Sequence, residues 1–170
     1  MVHKEKIMKS LKLLTLALGL SSVSIVQAGE SAVKWQDFDN YRDVRAANQS
    51  PKSFEKQITI NFEKHFAKLA EKLPSGYKLN VEVIELDLAG DIEFSGATQV
   101  RVIQPFYYPK MKLSYTVTNS QGDVVSQNDE VSLKDRGYLD KIKRSSSKSF
   151  YYEKRLVTNW FNSKVLSTVG

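Results

Sequence analysis

The hydrophobic period of this chain changes from that of a helix to that of a strand at one short break. Between residues 51 and 73, apolar side chains recur at about 100° per residue, so they form one stripe on a helix. Leu73-Pro74-Ser75-Gly76 ends that helix, and apolar and polar residues then alternate from Tyr77 to Leu88, as in a half-buried strand. A chain with both patterns in succession is typical of an α+β fold, in which helices cover a sheet.

The alternation also predicts how the strands pair. Its phase slips by one residue at Val83-Ile84, which indicates a β-bulge, because a one-residue slip exchanges the two faces of a strand. A second alternating strand spans Met111–Val117, and Asn119–Asp123 has the composition of a turn. We expect Val124–Leu133 to pair back as a hairpin, and its polar middle favours a position at the edge of the sheet.

Two strands, a helix and a loop complete the prediction. Ala32–Trp35 and Thr98–Ile103 are short strand candidates, Phe150–Val165 is a second amphipathic helix, and Ala89–Gly96 has the composition of a loop. We therefore predict an antiparallel sheet of about four to five strands with two main helices packed on one face. Residues 29–170 are enough for a single domain of this kind.

The N-terminal residues have the three parts of a secretory signal peptide. Four lysines precede the short apolar run Leu13–Leu20, and small residues lead to Ala28. The run is too short to span a bilayer, so we expect cleavage after Ala28 and an exported protein without a membrane span, located in the periplasm or, as the alternative, fully secreted. Removing residues 1–28 takes away four lysines and one glutamate, which lowers the formal net charge from +6 to +3.

The residue types that are missing exclude several classes of function. The chain contains no cysteine, which excludes a disulfide scaffold, an iron–sulfur site and a cysteine nucleophile. His65 is the only histidine outside the leader, and it lies within the apolar stripe of the first helix, so we interpret it as a packed histidine. There is no glycine-rich phosphate loop, and export argues against nucleic acid. We therefore predict a non-enzymatic protein with no cofactor, metal site or nucleic-acid partner.

The strongest charge feature is the segment 134–155, which has eight basic and three acidic residues among several aromatic ones. Outside the cytoplasm the abundant anions are lipid headgroups, lipopolysaccharide phosphates and acidic glycans, and arginine, lysine and aromatic side chains suit all three. The segment predicts a binding site for such an envelope component, or for an envelope protein. A solvated basic loop that leads into a helix is the alternative. The candidate ligand-binding residues are Lys141, Lys143, Arg144, Lys148, Tyr151 and Arg155.

Two other functions are compatible with the sequence. Asp87 and Asp91 could serve a carboxylate-dependent hydrolase of envelope glycans or esters, provided that they lie in a pocket that raises their pKa values. The edge strand Val124–Leu133 could bind a protein partner by strand addition. In addition, Phe106-Tyr107-Tyr108 lies between Pro105 and Pro109, and it would be an apolar contact patch if its side chains are exposed.

Several short motifs, in order along nearly the whole expected mature chain, resemble a known family. They are Trp35, Tyr41–Arg45, Leu73–Leu79, Asp87–Asp91, Tyr108-Pro109 with Tyr115, and Tyr152–Arg155 with Trp160-Phe161. The chain is similar to domain of unknown function 3016, a family of small exported proteins of Gram-negative bacteria. The resemblance implies export and a single domain, and it implies no particular activity.

Overall fold

A computed structural model of the protein describes residues 28–140 and 148–169. Within these two ranges the chain forms two main helices and six strands, together with a short 3₁₀ turn at Phe38–Asn40. The elements are β1 (Glu30–Trp35), α1 (Pro51–Ala70), β2 (Lys78–Asp87), β3 (Asp91–Ser95), β4 (Thr98–Val102), β5 (Lys110–Thr118), β6 (Val124–Lys134) and α2 (Tyr151–Trp160). Helix α2 continues through a π-helical turn, Phe161–Val165, into a last helical turn, α3 (Leu166–Val169).

The main sheet has four strands in the order β1-β2-β5-β6, and β3 and β4 form a separate two-stranded sheet. The α+β class is therefore confirmed. The expectation of a purely antiparallel sheet was wrong for one strand, because β1 pairs with β2 in parallel. The cause is α1, which joins these two strands and returns the chain to the starting side of the sheet, so that both strands run in the same direction.

The predicted bulge in β2 is present, since the pairing of β2 with β5 shifts register between Val83 and Glu85. The Tyr41 hydroxyl donates a hydrogen bond of 2.7 Å to the carbonyl oxygen of Val83 at this irregularity. In a regular strand, residues three apart point to opposite faces of the sheet. Because of the bulge, Val83 and Leu86 are both buried. Strand β6 is an edge strand, as predicted.

The prediction of a loop over Ala89–Gly96 was wrong in part, because Asp91–Ser95 forms strand β3. Its partner is β4, with Asp91 opposite Val102 and Ser95 opposite Thr98. The acidic and glycine-containing composition suggests a loop locally, whereas pairing with β4 supplies the backbone hydrogen bonds of a strand.

Both main helices contribute to one buried cluster over the sheet. Phe62 and Phe66 of α1 and Val157 of α2 lie in the same cluster as Leu79 of β2 and Leu113 of β5. Helix α1 begins at Pro51, where the helical period of the sequence begins, and the Ser50 side chain accepts a hydrogen bond from Ser53 N. That both helices pack on one face of the sheet stays a prediction. In the part of the chain that the structure describes, no helix is long and apolar enough to cross a bilayer.

Candidate functional site

The tight turn between β2 and β3 separates two open clefts. The first, of about 590 Å³, is lined by aromatic and amide side chains, and we call it the aromatic cleft. The second, of about 420 Å³, is lined by charged side chains and Tyr107, and we call it the ionic cleft. Arg45 lines both. The turn itself comprises residues 88–90.

One wall of the aromatic cleft is a continuous run of chain, residues 148–153, which leads into α2. Within it, Phe150 has a left-handed backbone, with φ 54° and ψ 39°, a conformation that is strained for a bulky residue. Packing holds it in place, since the Phe150 ring lies 6.0 Å from the ring of Phe54 and 5.8 Å from that of Phe62. The side chains of Tyr151 and Tyr152 follow Phe150 along the same wall.

Amide side chains belong to the lining of the same cleft. Gln49 Nε2 donates a hydrogen bond of 2.9 Å to Gln57 Oε1. Asn48 is hydrogen-bonded to the backbone of Gln99 through both its oxygen and its nitrogen, which joins the segment before α1 to β4. The cleft thus combines aromatic rings with amides held in defined orientations.

Glu153 also lines the aromatic cleft, and it is 3% exposed. Its Oε1 accepts a hydrogen bond of 2.7 Å from the backbone N–H of Ala89. Burial raises the pKa of Glu153, an effect that the Ala89 hydrogen bond and the positive charges of Arg101 and Lys154 oppose. The β2–β3 turn is thereby joined to α2 through one buried carboxyl group.

A network of ion pairs joins the two clefts, since Asp43 and Asp91 line the ionic cleft and Arg101 lines the aromatic cleft. Asp43 accepts from Arg45 at 2.9 Å and from Arg101 at 2.8 Å, and Arg45 also reaches Asp91 at 3.2 Å. Arg101 Nη1 donates in addition to the Gly90 carbonyl oxygen at 2.9 Å, which ties the network to the turn. These contacts fix the segment around Asp43 against the β3–β4 sheet.

The structure brings the two carboxylates of the hydrolase hypothesis into the same cleft. Asp87 lies 2.6 Å from Lys110 Nζ, and Asp91 is paired with Arg45. Each carboxylate is therefore in an ion pair, whereas a carboxylic acid that donates a proton is typically surrounded by apolar side chains. Across residues 28–140 and 148–169 there is no group of three or more acidic or histidine side chains that could hold a metal ion.

The predicted ligand-binding residues divide into three groups. Lys148 and Tyr151 both line the aromatic cleft. Arg155 instead holds the fold together, since it donates to Asp135 Oδ2 at 3.1 Å and to the Tyr138 carbonyl oxygen at 2.6 Å. The three remaining candidates, Lys141, Lys143 and Arg144, lie outside the described residues.

His65 packs between the helices, as predicted. Its Nε2 lies 2.9 Å from the carbonyl oxygen of Lys154 and 2.9 Å from Thr158 Oγ1. Because a carbonyl oxygen only accepts, Nε2 carries the hydrogen of the ring. Burial lowers the pKa of His65, so the imidazole is neutral at pH 7.

The comparisons with known proteins give one result that decides the family. The sequence model of the family described as a protein of unknown function (DUF3016) matches residues 29–163. The chain belongs to the DUF3016 family. No curated protein and no solved structure matches it. The resemblance drawn from the sequence motifs is thus confirmed at the level of the family, and the export of DUF3016 proteins stays a prediction.

The sequence interpretation missed Asp43, Arg45, Arg101 and Glu153 as site residues, because each was only one charged residue among many. The DUF3016 motifs contain a signal that could have found three of them. Tyr41–Arg45, Asp87–Asp91 and Tyr152–Arg155 are far apart in the sequence, yet Arg45 contacts Asp91 and Glu153 contacts Ala89. These three segments of the chain therefore meet at the β2–β3 turn.

Proposed function

We propose that the protein is a non-enzymatic binding protein of the bacterial envelope, and that it binds an acidic glycan in the aromatic cleft. The observation that supports this most directly is the composition of the cleft. Lys148, Tyr151 and Tyr152 line it together with the amides of Asn48 and Gln57. Ligand sites typically combine apolar surface with a few polar groups in fixed positions.

The aromatic rings suit the apolar C–H face of a sugar ring, which packs against a flat aromatic surface. Arg155 helps to hold these rings, since its guanidinium centre lies 5.8 Å from the Tyr151 ring and 5.9 Å from the Tyr152 ring. Amides supply both donors and acceptors, as sugar hydroxyl groups require. The hydrogen bond that Gln49 Nε2 donates to Gln57 Oε1 orients these two amides before a ligand arrives.

The preference for an anionic glycan follows from the charges near the cleft. Lys148 lies in its lining, together with Arg45, whose guanidinium is already paired with Asp43 and Asp91. Lys141, Lys143 and Arg144 lie within seven residues of Lys148 in the sequence and add three positive charges to the same stretch of chain. A cluster of like charges attracts anionic ligands at low salt and loses this attraction as salt is added.

The expected signal peptide supports a location in the envelope. If residues 1–28 are removed during export, the cleft meets glycans and not nucleotides or nucleic acids. The two alternative functions have less support. The hydrolase would need Asp87 and Asp91 to be released from their ion pairs. Binding of a protein partner by strand addition would use β6, but the pairing of β6 with β5 is irregular at two places, and an irregular edge is less suited to adding another strand.

A matched pair of probes tests the proposal. Trigalacturonate and its methyl ester have the same rings, but only the first is charged. We expect calorimetry to show that trigalacturonate binds about five- to tenfold more tightly at low salt, with the difference shrinking at high salt. Equal affinity for the two probes would contradict the preference for an anionic glycan. Absence of binding would contradict the glycan site itself. Cleavage of either probe would contradict a non-enzymatic role.

A further inference from the structure

The exposed large apolar side chains of this protein are concentrated in one part of the chain. Of the seven among the described residues, five lie between residues 94 and 107. Phe94 is 76% exposed, Phe106 85% and Tyr107 45%. Scattered exposed apolar residues are normal on a protein surface, whereas a concentration of aromatic ones indicates an interaction surface.

These residues are held outward by a defined framework. They belong to the β3–β4 sheet, which lies apart from the main sheet, and to the connection that follows β4. Gly90 N donates to the Tyr107 carbonyl oxygen at 2.8 Å, and the Tyr138 hydroxyl donates to the Gln104 carbonyl oxygen at 2.8 Å. The backbone around Phe106 is thus anchored on both sides, while the side chain of Phe106 extends into solvent.

Positive charge flanks the same loop. Arg42 lines the ionic cleft together with Tyr107, and the guanidinium centre of Arg136 lies 5.7 Å from the Tyr108 ring. Within the described residues, neither arginine forms an ion pair with a carboxylate. Lys110 lies 4.9 Å from the Tyr108 ring, but it is paired with Asp87. The positive charge available to a partner therefore comes from the two arginines, and one negative charge lies near them, because the Glu93 carboxylate accepts a hydrogen bond from Gln104 Nε2 of the same loop.

We propose that this surface docks the protein on an anionic phospholipid bilayer. The docking surface consists of Phe106 and Tyr107, with Arg42 beside Tyr107 and Arg136 beside Tyr108. Aromatic side chains favour the region between headgroups and acyl chains, and arginines beside them attract anionic headgroups. Such an arrangement is typical of proteins that lie on a membrane without crossing it. This surface is distinct from the aromatic cleft, so the inference goes beyond the proposed glycan binding.

The charges favour a bilayer over a second copy of the chain as the occupant. A two-fold contact centred on Phe106 would bring the Arg42 and Arg136 side chains of one copy close to those of the other, and like charges would repel. An anionic membrane surface instead offers opposite charge around the apolar side chains.

The experiment measures flotation of the protein with vesicles of phosphatidylglycerol and phosphatidylcholine, compared with vesicles of phosphatidylcholine alone. The full chain is expressed and the N-terminus of the purified protein is determined by mass spectrometry, since an attached leader would bind lipid by itself. The protein is expected to bind the anionic vesicles more tightly. Phe106→Ser should weaken that binding about tenfold, and Arg42→Gln and Arg136→Gln about fivefold each at low salt. Val124→Ser, at a 54% exposed apolar residue of β6, is the matched control and should bind like the parent protein.

The inference is overturned if the parent protein does not bind anionic vesicles, if Phe106→Ser binds as well as the parent, or if Val124→Ser loses as much as Phe106→Ser. Sedimentation of the same variants in the absence of lipid tests the other occupant. A parent dimer that Phe106→Ser converts to monomer would assign the surface to contact between copies and would also overturn docking on lipid. Binding of trigalacturonate by these variants shows separately whether the aromatic cleft is intact.

Discussion

Glu153 Oε1 accepts a hydrogen bond of 2.7 Å from the backbone N–H of Ala89, across 64 residues of sequence. This contact joins the first turn of α2 to the β2–β3 turn, where segments matched by the family model meet. Because the carboxyl is buried, its protonation state affects both the stability of the fold and the charge of the aromatic cleft.

Glu153→Gln should remove a pH dependence of stability. Burial raises the pKa of Glu153 above the ordinary 4.5, so the folded state binds this proton more tightly than the unfolded state does. The stabilisation is complete below the unfolded pKa and is lost as pH rises through the folded pKa. Glutamine retains the acceptor oxygen without the charge, so we expect the variant to gain stability relative to the parent as pH rises from 4.5 to neutrality. Urea unfolding at a series of pH values measures the difference, and parallel profiles would contradict it.

Gly90→Ala should destabilise the β2–β3 turn strongly. Gly90 has φ +80°, and a Cβ there would lie 2.4 Å from the Val102 carbonyl oxygen. Gly122 is the matched control, because it has φ +91° and no atom within 4 Å of a Cβ. We expect Gly122→Ala to cost about 1–2 kcal/mol, the typical strain of a left-handed residue, and Gly90→Ala to cost more. Equal free energies of unfolding for the two variants would show that the close approach to Val102 does not matter.

Phe62→Ala should lower the free energy of unfolding by about 3–5 kcal/mol, because Phe62 is fully buried in the cluster between α1 and the sheet. Ile60→Ala, two residues away on the exposed side of α1, is the control, and a change within about 0.5 kcal/mol is expected there. Denaturant unfolding with coincident fluorescence and circular dichroism signals provides the measurement. A small effect at Phe62 would mean that the core re-packs around the missing ring.

Tyr151→Ala and Lys148→Ala should weaken trigalacturonate binding by different mechanisms. Loss of the Tyr151 ring removes stacking, so its roughly tenfold effect should persist at high salt. Loss of the Lys148 charge should cost about fivefold at low salt and little at high salt. Lys164→Ala, at an exposed lysine of the π-helical turn, is the control and should bind like the parent. If Lys164→Ala weakens binding as much as Lys148→Ala does, the loss of affinity depends on the net charge of the protein, and a specific contact of Lys148 in the cleft is contradicted.

The extent to which the sequence predicts this protein depends on how local each feature is. Helix α1, the bulge of β2 and the β5–β6 hairpin follow from hydrophobic period, capping residues and turn composition over fewer than 25 neighbouring residues, and all three are present. Strand β3 was missed because its pairing with β4, not its own composition, makes it a strand.

The candidate site was predicted only in part, for the same reason. The sequence interpretation named Lys148 and Tyr151, which line the aromatic cleft, because they belong to one charged and aromatic segment, and their binding of a ligand stays a prediction. Arg155 belongs to the same segment and contacts Asp135 and Tyr138. Charge density along a sequence cannot distinguish an arginine that is available to a ligand from one that is already paired.

By itself, the sequence determined the fold class, the family and the order of most elements, because periodicity and turn chemistry act between near neighbours. The tertiary structure alone decided the parallel direction of β1, the joining of Glu153 to Ala89, and the pairing of Asp43 with Arg101 across 58 residues. Those contacts depend on how distant segments are brought together by burial of a common core, and no local pattern encodes the partner of a single charged side chain.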